Sequence, residues 1–236
     1  MIICLENLQA GVEWWRTSNW GMDIINSEYE GIYKARASGL TDEWWNNTVN
    51  LLWAWKAIRS RRAPNTKEEI KRRGGGRLAE LGAQYDSIRA SSKSEPNISD
   101  SQWDDTSELF ELAFQIKCCD RKIGSPVFGS KMCHFIFPKV FPVVDNLATG
   151  IFDYEFYWRG MKDEWQRFNK KEEAIAYLRS VIESPEIHEH YPFETKIIEL
   201  SHIGYAHAQL ASSAEMPEYG RLHDPRGWET IREPSS

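Results

Sequence analysis

The sequence predicts an all-α fold, and three observations support this. Apolar residues recur at helical spacing in several segments, as at Trp45, Val49, Leu52 and Trp53. Alternating strand patterns are scarce, and the short apolar run 140–144 has no obvious partner strand. Glycine, proline and polar clusters separate the helical segments, as residues that end helices do.

Each helix has a local justification in this pattern. Asp42, preceded by Thr41, is expected to cap the first strongly periodic run, and Thr66 is expected to start a short basic helix that the glycines at 74–76 end. We expect a polar loop over 91–101, a turn over 124–129 and a weakly ordered tail over 213–236, with a single domain over 1–212. The predicted helices cover 42–62, 66–73, 77–90, 106–122, 130–137, 171–182 and 193–208.

Composition excludes several classes of protein. With 41% apolar and 27% charged residues among 236, the chain is neither disordered nor fibrous. No run approaches eighteen apolar residues, which argues against a membrane-spanning helix. The first residues carry Glu6 and no basic cluster, so they do not resemble a signal peptide. Four cysteines are too few for a disulfide framework, and we expect a cytoplasmic monomer with reduced thiols and no membrane partner.

Charge is unevenly distributed along the chain. The segment 56–77 has nine basic and two acidic residues, so it carries +7 while the rest carries −13. A basic stripe on an acidic protein is typical of a polyanion-binding surface. A solvated helix face would give the same pattern, and both interpretations stay open. Within this segment the candidate DNA contacts are Arg61, Arg62, Arg72 and Arg73.

Tryptophans cluster in the first quarter of the chain. Trp44, Trp45, Trp53 and Trp55 follow helical spacing and are expected to lie mostly in the core. Adjacent Trp14 and Trp15 cannot share one helix face, so one of them is a candidate for lining a groove. Core packing is the competing interpretation for this group, which also includes Trp20.

The segment 123–146 carries the chemistry that the sequence predicts. A turn containing Gly129 is expected to begin a helix there, and outward-facing backbone N–H groups at a helix start form a phosphate site. On this interpretation Phe128, Gly129 and Ser130 contact DNA, and Lys131 lies in the first helical turn. Asp145 follows an apolar run fourteen residues later.

This segment resembles the helix-hairpin-helix DNA glycosylases. Residues 126–131 are similar to their Pro-Gly-Val-Gly-x-Lys hairpin, with Val127 where the first glycine usually stands, and Pro142-Val143-Val144-Asp145 is similar to their Pro-Val-Asp motif. The string from Ser130 to Asp145 is more similar still to small bacterial proteins with the 8-oxoguanine glycosylase fold. The strong similarity covers about 25 residues and implies a two-lobed helical fold.

The resemblance implies the excision of a modified base from double-stranded DNA. The base is flipped out of the stack, and Asp145 stabilises the positive charge that develops on the sugar. The nucleophile is either water or the amine of Lys131, which forms a Schiff base in bifunctional members. A phosphate contact by Lys131 and a helix cap by Asp145 are the structural alternatives.

The identity of the base is only weakly indicated. Related shortened proteins resemble antiviral glycosylases that attack glucosylated hydroxymethylcytosine in phage DNA, whereas the fold name points to 8-oxoguanine. Candidate base-pocket residues are Trp14, Trp15, Trp20, Phe152 and Tyr154, although the aromatic run 151–158 is equally typical of a lobe interface. A non-catalytic DNA-binding module and a protein-interaction scaffold are competing functions.

No cofactor is expected. The pairs Cys118-Cys119, Cys133-His134 and His188-x-His190 lack the spacing of a zinc site. His134 is expected to pack under the hairpin rather than to bind a metal.

Overall fold

The structure, a computed structural model, describes residues 1–17, 28–58, 64–117, 126–144, 153–182 and 185–212. Within these ranges it contains ten α-helices, one 3-10 turn at Pro185–Ile187 and no strand, which confirms the all-α prediction. None of the described helices combines the length and the apolar character needed to cross a membrane. The helices are α1 Leu5–Thr17, α2 Tyr29–Arg36, α3 Asp42–Ala54, α4 Lys67–Gly75, α5 Leu78–Ser91, α6 Trp103–Phe114, α7 Pro126–Ile136, α8 Tyr154–Arg167, α9 Lys171–Val181 and α10 Phe193–Ser212.

Side-chain caps begin three of these helices where the sequence has an oxygen-bearing residue. Thr41 accepts a hydrogen bond from Trp44 N and Thr66 accepts one from Glu69 N, as N-cap residues do. The predicted cap of α3 at Asp42 is therefore wrong, because Asp42 is already the first helical residue. Asp153 caps α8 in the same way by accepting from Phe156 N.

Helix α3 ends earlier than the prediction of 42–62. Lys56 has a φ of 54°, and the N–H groups of Lys56 and Ala57 donate to Trp53 O and Leu52 O. This is the Schellman arrangement, with a lysine at the left-handed position that glycine usually occupies. The helix therefore stops at Ala54, whereas residues 59–62 lie outside the described ranges.

Gly74 and Gly75 lie inside α4, so the prediction that the glycine run ends this helix at residue 73 is wrong. The reason is packing against α3, because the Trp45 indole lies directly on Gly74 and donates from Nε1 to Lys71 O at 2.7 Å. A Cβ at residue 74 would lie 2.0 Å from Trp45 Cζ2. Glycine here permits close helix approach.

The prediction of a turn over 124–129 is also wrong for its second half. Helix α7 begins at Pro126, so residues 126–129 form its first turn and Lys131 lies in the second turn. Proline suits the first helical position because its missing N–H would have no intrahelical acceptor there.

Helix α6 begins at Trp103 and ends at Phe114, so both its start and its end come earlier than the prediction of 106–122.

Helix α10 crosses α1 at very short distance and closes the core. A Cβ on Gly11 would lie 1.9 Å from Leu200 O, and one on Gly204 would lie 2.0 Å from Asn7 O. Apolar side chains from every helix belong to one continuous buried cluster. The two-lobed arrangement and the tail over 213–236, which lies outside the described residues, stay predictions.

Candidate functional site

Lys131, the predicted nucleophile, is buried in the interior. Its side chain is only 7% exposed, and its Nζ donates to the carbonyl oxygen of Trp55 at 2.9 Å. The ammonium also lies 4.7 Å from the centroid of the Trp55 ring, within the range of a cation–π interaction. Helix α7 supplies the lysine, and the Schellman end of α3 supplies its acceptor.

The segment 140–144 that leads to Asp145 is buried and begins at the end of a turn, and it belongs to no helix or strand. Its carbonyl groups accept hydrogen bonds from side chains of two helices, which satisfies the need of buried backbone for partners. The donors and acceptors are Trp158 Nε1 to Val140 O at 2.9 Å, His134 Nδ1 to Phe141 O at 2.8 Å, Tyr154 Oη to Pro142 O at 2.7 Å and Tyr157 Oη to Val143 O at 3.3 Å.

Ser130 ties the end of this segment to the helix that bears the lysine. Its hydroxyl accepts from Val144 N at 3.3 Å and donates to Val127 O at 3.2 Å. Val144, the residue before Asp145, therefore contacts Ser130, the residue before Lys131. Asp145 itself lies outside the described residues, so its predicted catalytic role stays a prediction.

His134 is a structural bridge in this region. A carbonyl oxygen can only accept, so Nδ1 carries the proton toward Phe141 O and Nε2 accepts from the Tyr29 hydroxyl at 2.6 Å. Burial lowers the pKa of His134 well below its usual value, and the charge of Lys196 lowers it further. The imidazole is thus neutral and joins α7 to Phe141 and to Tyr29 of α2.

The sequence analysis missed a buried ion pair beside the lysine. Lys196 and Glu199 of α10 are buried, and Lys196 Nζ lies 2.9 Å from Glu199 Oε2. The Lys196 ammonium lies 4.8 Å from the Trp55 ring centroid and 5.2 Å from that of Trp15. The sequence contained a signal for this ion pair, because Lys196 and Glu199 are opposite charges three positions apart in an otherwise apolar part of α10.

The three predicted DNA contacts on the hairpin are buried. Phe128 and Ser130 have no exposed surface, and a Cβ on Gly129 would lie 3.1 Å from the Phe110 ring. Gly129 permits the close contact of α7 with α6 rather than presenting a turn to solvent. Any backbone phosphate site at the start of α7 would thus have to involve residues before Pro126, which lie outside the described ranges.

The two described arginines of the basic segment differ in environment. Arg72 is exposed and forms an ion pair with Glu69 at 2.9 Å. Arg73 instead donates to Ile116 O at 2.7 Å, Pro64 O at 2.6 Å and Asn65 Oδ1 at 2.9 Å. It joins α4 to the end of α6, which favours a structural role. Arg61 and Arg62 lie outside the described residues.

Several basic side chains of this segment are exposed or half-buried just after α3 and along α4. Trp53 is 38% exposed, and the Lys67 ammonium lies 5.7 Å from the centroid of its ring. Lys56, Lys71 and Arg72 are exposed on the same two elements. We call these five residues the basic surface.

The predicted base-pocket residues lie in packed positions where they are described. Trp15 is buried, and Trp14 is half-buried and stacked on His207 at 4.8 Å. Tyr154 is buried and stacked on Phe110 with ring centroids 4.4 Å apart. This favours the core interpretation for Trp15. Tyr154 also lines a cavity of about 470 Å³ with Phe110, Phe114 and Pro126, so both interpretations stay open for it. Trp20 and Phe152 lie outside the described residues.

Among the described side chains, no group of three or more histidine, cysteine, aspartate or glutamate residues is placed to hold a metal ion. Comparison with family models, with curated proteins and with solved structures found no match to this chain.

Proposed function

We propose that this protein is a DNA glycosylase that flips a modified base out of duplex DNA and cleaves its N-glycosidic bond. The observation that carries the proposal is the hydrogen bond between Val144 N and Ser130 Oγ. It holds the chain that continues into Asp145 against the helical turn that bears Lys131. Base excision requires a carboxylate and a nucleophile, and on this proposal they are Asp145 and either Lys131 or water.

The buried environment of Lys131 fits the role of a nucleophile. The amine contacts a carbonyl oxygen and an aromatic face, away from bulk water. In the reaction it would form a bond to C1′ of the sugar, while the electron pair of the C1′–N bond leaves with the base and the base takes up a proton. Loss of the amine proton and opening of the sugar ring then give a Schiff base. With water as the nucleophile, the same cleavage leaves an abasic site.

DNA would be bound through the basic surface. Lysine and arginine neutralise phosphates without reading sequence, and an exposed tryptophan offers a face on which a base can stack. The net charge of −6 limits binding elsewhere on the molecule. As substrate class we propose glucosylated hydroxymethylcytosine of phage DNA, with 8-oxoguanine as the alternative.

The test is incubation of the protein with four duplexes: unmodified, uracil-containing, 8-oxoguanine-containing, and phage DNA with glucosylated hydroxymethylcytosine. Abasic sites are scored with and without alkali, and Schiff-base adducts are trapped with borohydride. We expect abasic sites on one modified substrate, their loss in Asp145→Asn, and loss of the trapped adduct in Lys131→Gln.

Lys162→Gln is the matched control for Lys131→Gln. Lys162 is equally buried, donates to Ser101 O and lies over the Trp158 ring, so its loss tests the general cost of removing a buried amine. Intact substrates in every reaction would overturn the glycosylase proposal.

A second candidate function, a non-catalytic DNA-binding module, is favoured by one observation. The exposed positive charge lies on α3 and α4, away from the buried residues 128–130. This candidate predicts tight, salt-dependent binding to unmodified duplex that Asp145→Asn leaves unchanged, and no base release from any substrate.

A further inference from the structure

The ion pair of Lys196 and Glu199 is not explained by stability. The Lys196 side chain has no exposed surface, and Glu199 is nearly buried as well. Removing two charges from water costs about as much as their attraction returns, and apolar residues of similar size often serve equally well. A buried ion pair beside a candidate nucleophile therefore points to a role in the site.

Trp55 brings the two lysines together. The Lys131 and Lys196 ammonium groups lie 4.7 Å and 4.8 Å from the centroid of the same indole ring. They come from different helices, α7 and α10, and each has a separate oxygen acceptor: Trp55 O for Lys131 and Glu199 Oε2 for Lys196. Two positive charges thus share one aromatic group in a region from which water is largely excluded.

Within the ion pair, the Lys196 ammonium is the end that contacts the Trp55 ring. The charge of Lys196 also acts on His134, whose ring centroid lies 5.7 Å from that of Trp55, and adds to the burial that lowers the pKa of His134. The charge of Glu199 adds to the burial that raises the pKa of Tyr29, Tyr157 and Tyr191. The ring that contacts Lys131 is therefore in contact with a second positive charge.

We infer that Lys196 is a positioning residue for Lys131, whose fixed positive charge keeps a larger fraction of the Lys131 amine uncharged and so nucleophilic. A second cation beside a buried lysine is an established way to activate an amine, because like charges disfavour each other. Glu199 holds the Lys196 ammonium in place. The inference rests on the proposed function for its biological meaning, but amine reactivity can be measured without DNA.

The chain contains a matched internal reference. Lys162 has the same 7% exposure as Lys131, donates to a backbone carbonyl and lies 5.6 Å from the ring centroid of Trp158. The ion pair of Lys196 and Glu199 lies beside Trp55, the ring that Lys131 contacts.

The experiment is a short pulse of reductive methylation with formaldehyde and cyanoborohydride on the full-length protein, followed by peptide mass spectrometry. This reagent modifies uncharged amines. We expect Lys131 to label at least about threefold faster than Lys162 in the unmodified sequence. Equal rates would overturn the inference.

Variants that all carry Glu199→Gln isolate the effect of the charge at residue 196. Glu199→Gln keeps the Lys196 charge, whereas Lys196→Met with Glu199→Gln removes both charges and leaves no unpaired buried ion. We expect Lys131 to label about threefold more slowly in the double variant than in Glu199→Gln, with Lys162 unchanged. Lys196→Arg with Glu199→Gln retains the charge and should restore the faster rate. Parallel changes at Lys131 and Lys162 would indicate general opening of the fold and would overturn the inference.

The outcomes separate this inference from the proposed function. Faster labelling of Lys131 that depends on Lys196, without base release from any duplex, would support the inference and overturn the glycosylase proposal. Base release by a protein in which Lys131 labelling is insensitive to Lys196 would do the reverse.

Discussion

Lys56 occupies a backbone conformation that costs energy for any residue with a Cβ. Its φ of 54° completes the Schellman end of α3, where glycine would fit without a steric penalty. We expect Lys56→Gly to raise the free energy of unfolding by about 1 kcal/mol, measured by urea denaturation. Lys56→Ala is the control, because it removes the long side chain but keeps the Cβ. Equal stability of the two variants would contradict this account of the turn.

His202 should make stability depend on pH. Burial lowers its pKa to about 4, while an unfolded histidine titrates near 6.5. The folded state thus excludes a proton that the unfolded state binds, so stability is complete above about pH 6.5 and falls as the pH drops toward 4. His134 acts in the same direction, since burial lowers its pKa too.

The variant that tests this is His202→Phe, which keeps a ring to stack on Tyr157. Between pH 7 and pH 5 the unmodified protein should lose about 2 kcal/mol more stability than the variant. Urea denaturation at the two pH values measures the difference, and parallel losses would show that His202 titrates normally.

At the scale of helices, the crossing of α1 and α10 depends on glycine. Because a Cβ at residue 204 would lie 2.0 Å from Asn7 O, Gly204→Ala must push the helices apart. We expect a loss of about 1–3 kcal/mol in urea denaturation. Gly160→Ala in α8, where a Cβ would meet no atom within 4 Å, should instead gain up to about 1 kcal/mol. Similar losses at both positions would contradict this account, because alanine is the better helix former and only residue 204 has a steric clash.

The link between α7 and the segment 140–144 can be tested through Ser130. Ser130→Ala leaves the buried Val144 N–H without its acceptor, which should cost about 1–3 kcal/mol in thermal or urea unfolding. Ser180 is the matched control, because it makes the same bond to the carbonyl three residues earlier but lies on the surface. If Ser180→Ala lowers the free energy of unfolding as much as Ser130→Ala, the lost hydrogen bond to Val144 N is not the cause.

For the whole molecule, the basic surface predicts how DNA affinity responds to salt. Lys67→Glu with Lys71→Glu should weaken duplex binding and lower the slope of log affinity against log salt by about 2. Lys34→Glu with Lys93→Glu changes the net charge equally at exposed sites away from this surface, and should have a much smaller effect. Fluorescence anisotropy over a range of NaCl concentrations measures both. Equal weakening would mean that net charge, and not this surface, governs binding.

The sequence predicted seven of the ten described helices and missed α1, α2 and α8. Helices α5, α9 and α10 lie within a few residues of their predictions, because their apolar periodicity is regular. The ends of α3 and α4 were mispredicted, since a Schellman turn formed at a lysine and Gly74 continued a helix beneath Trp45. Both outcomes depend on contacts that local propensity does not contain.

The candidate site shows the same division. The sequence by itself determined the all-helical class and the starts of α3 near Asp42 and of α4 near Thr66, because these depend on residues close together in the chain. Only the tertiary structure decided that Phe128 and Ser130 are buried, that Arg73 is occupied internally and that Lys131 and Lys196 share Trp55. Lys131 and its acceptor are 76 positions apart. The burial of a side chain and the charges around it depend on residues that are distant in sequence, and only the tertiary packing brings those residues together.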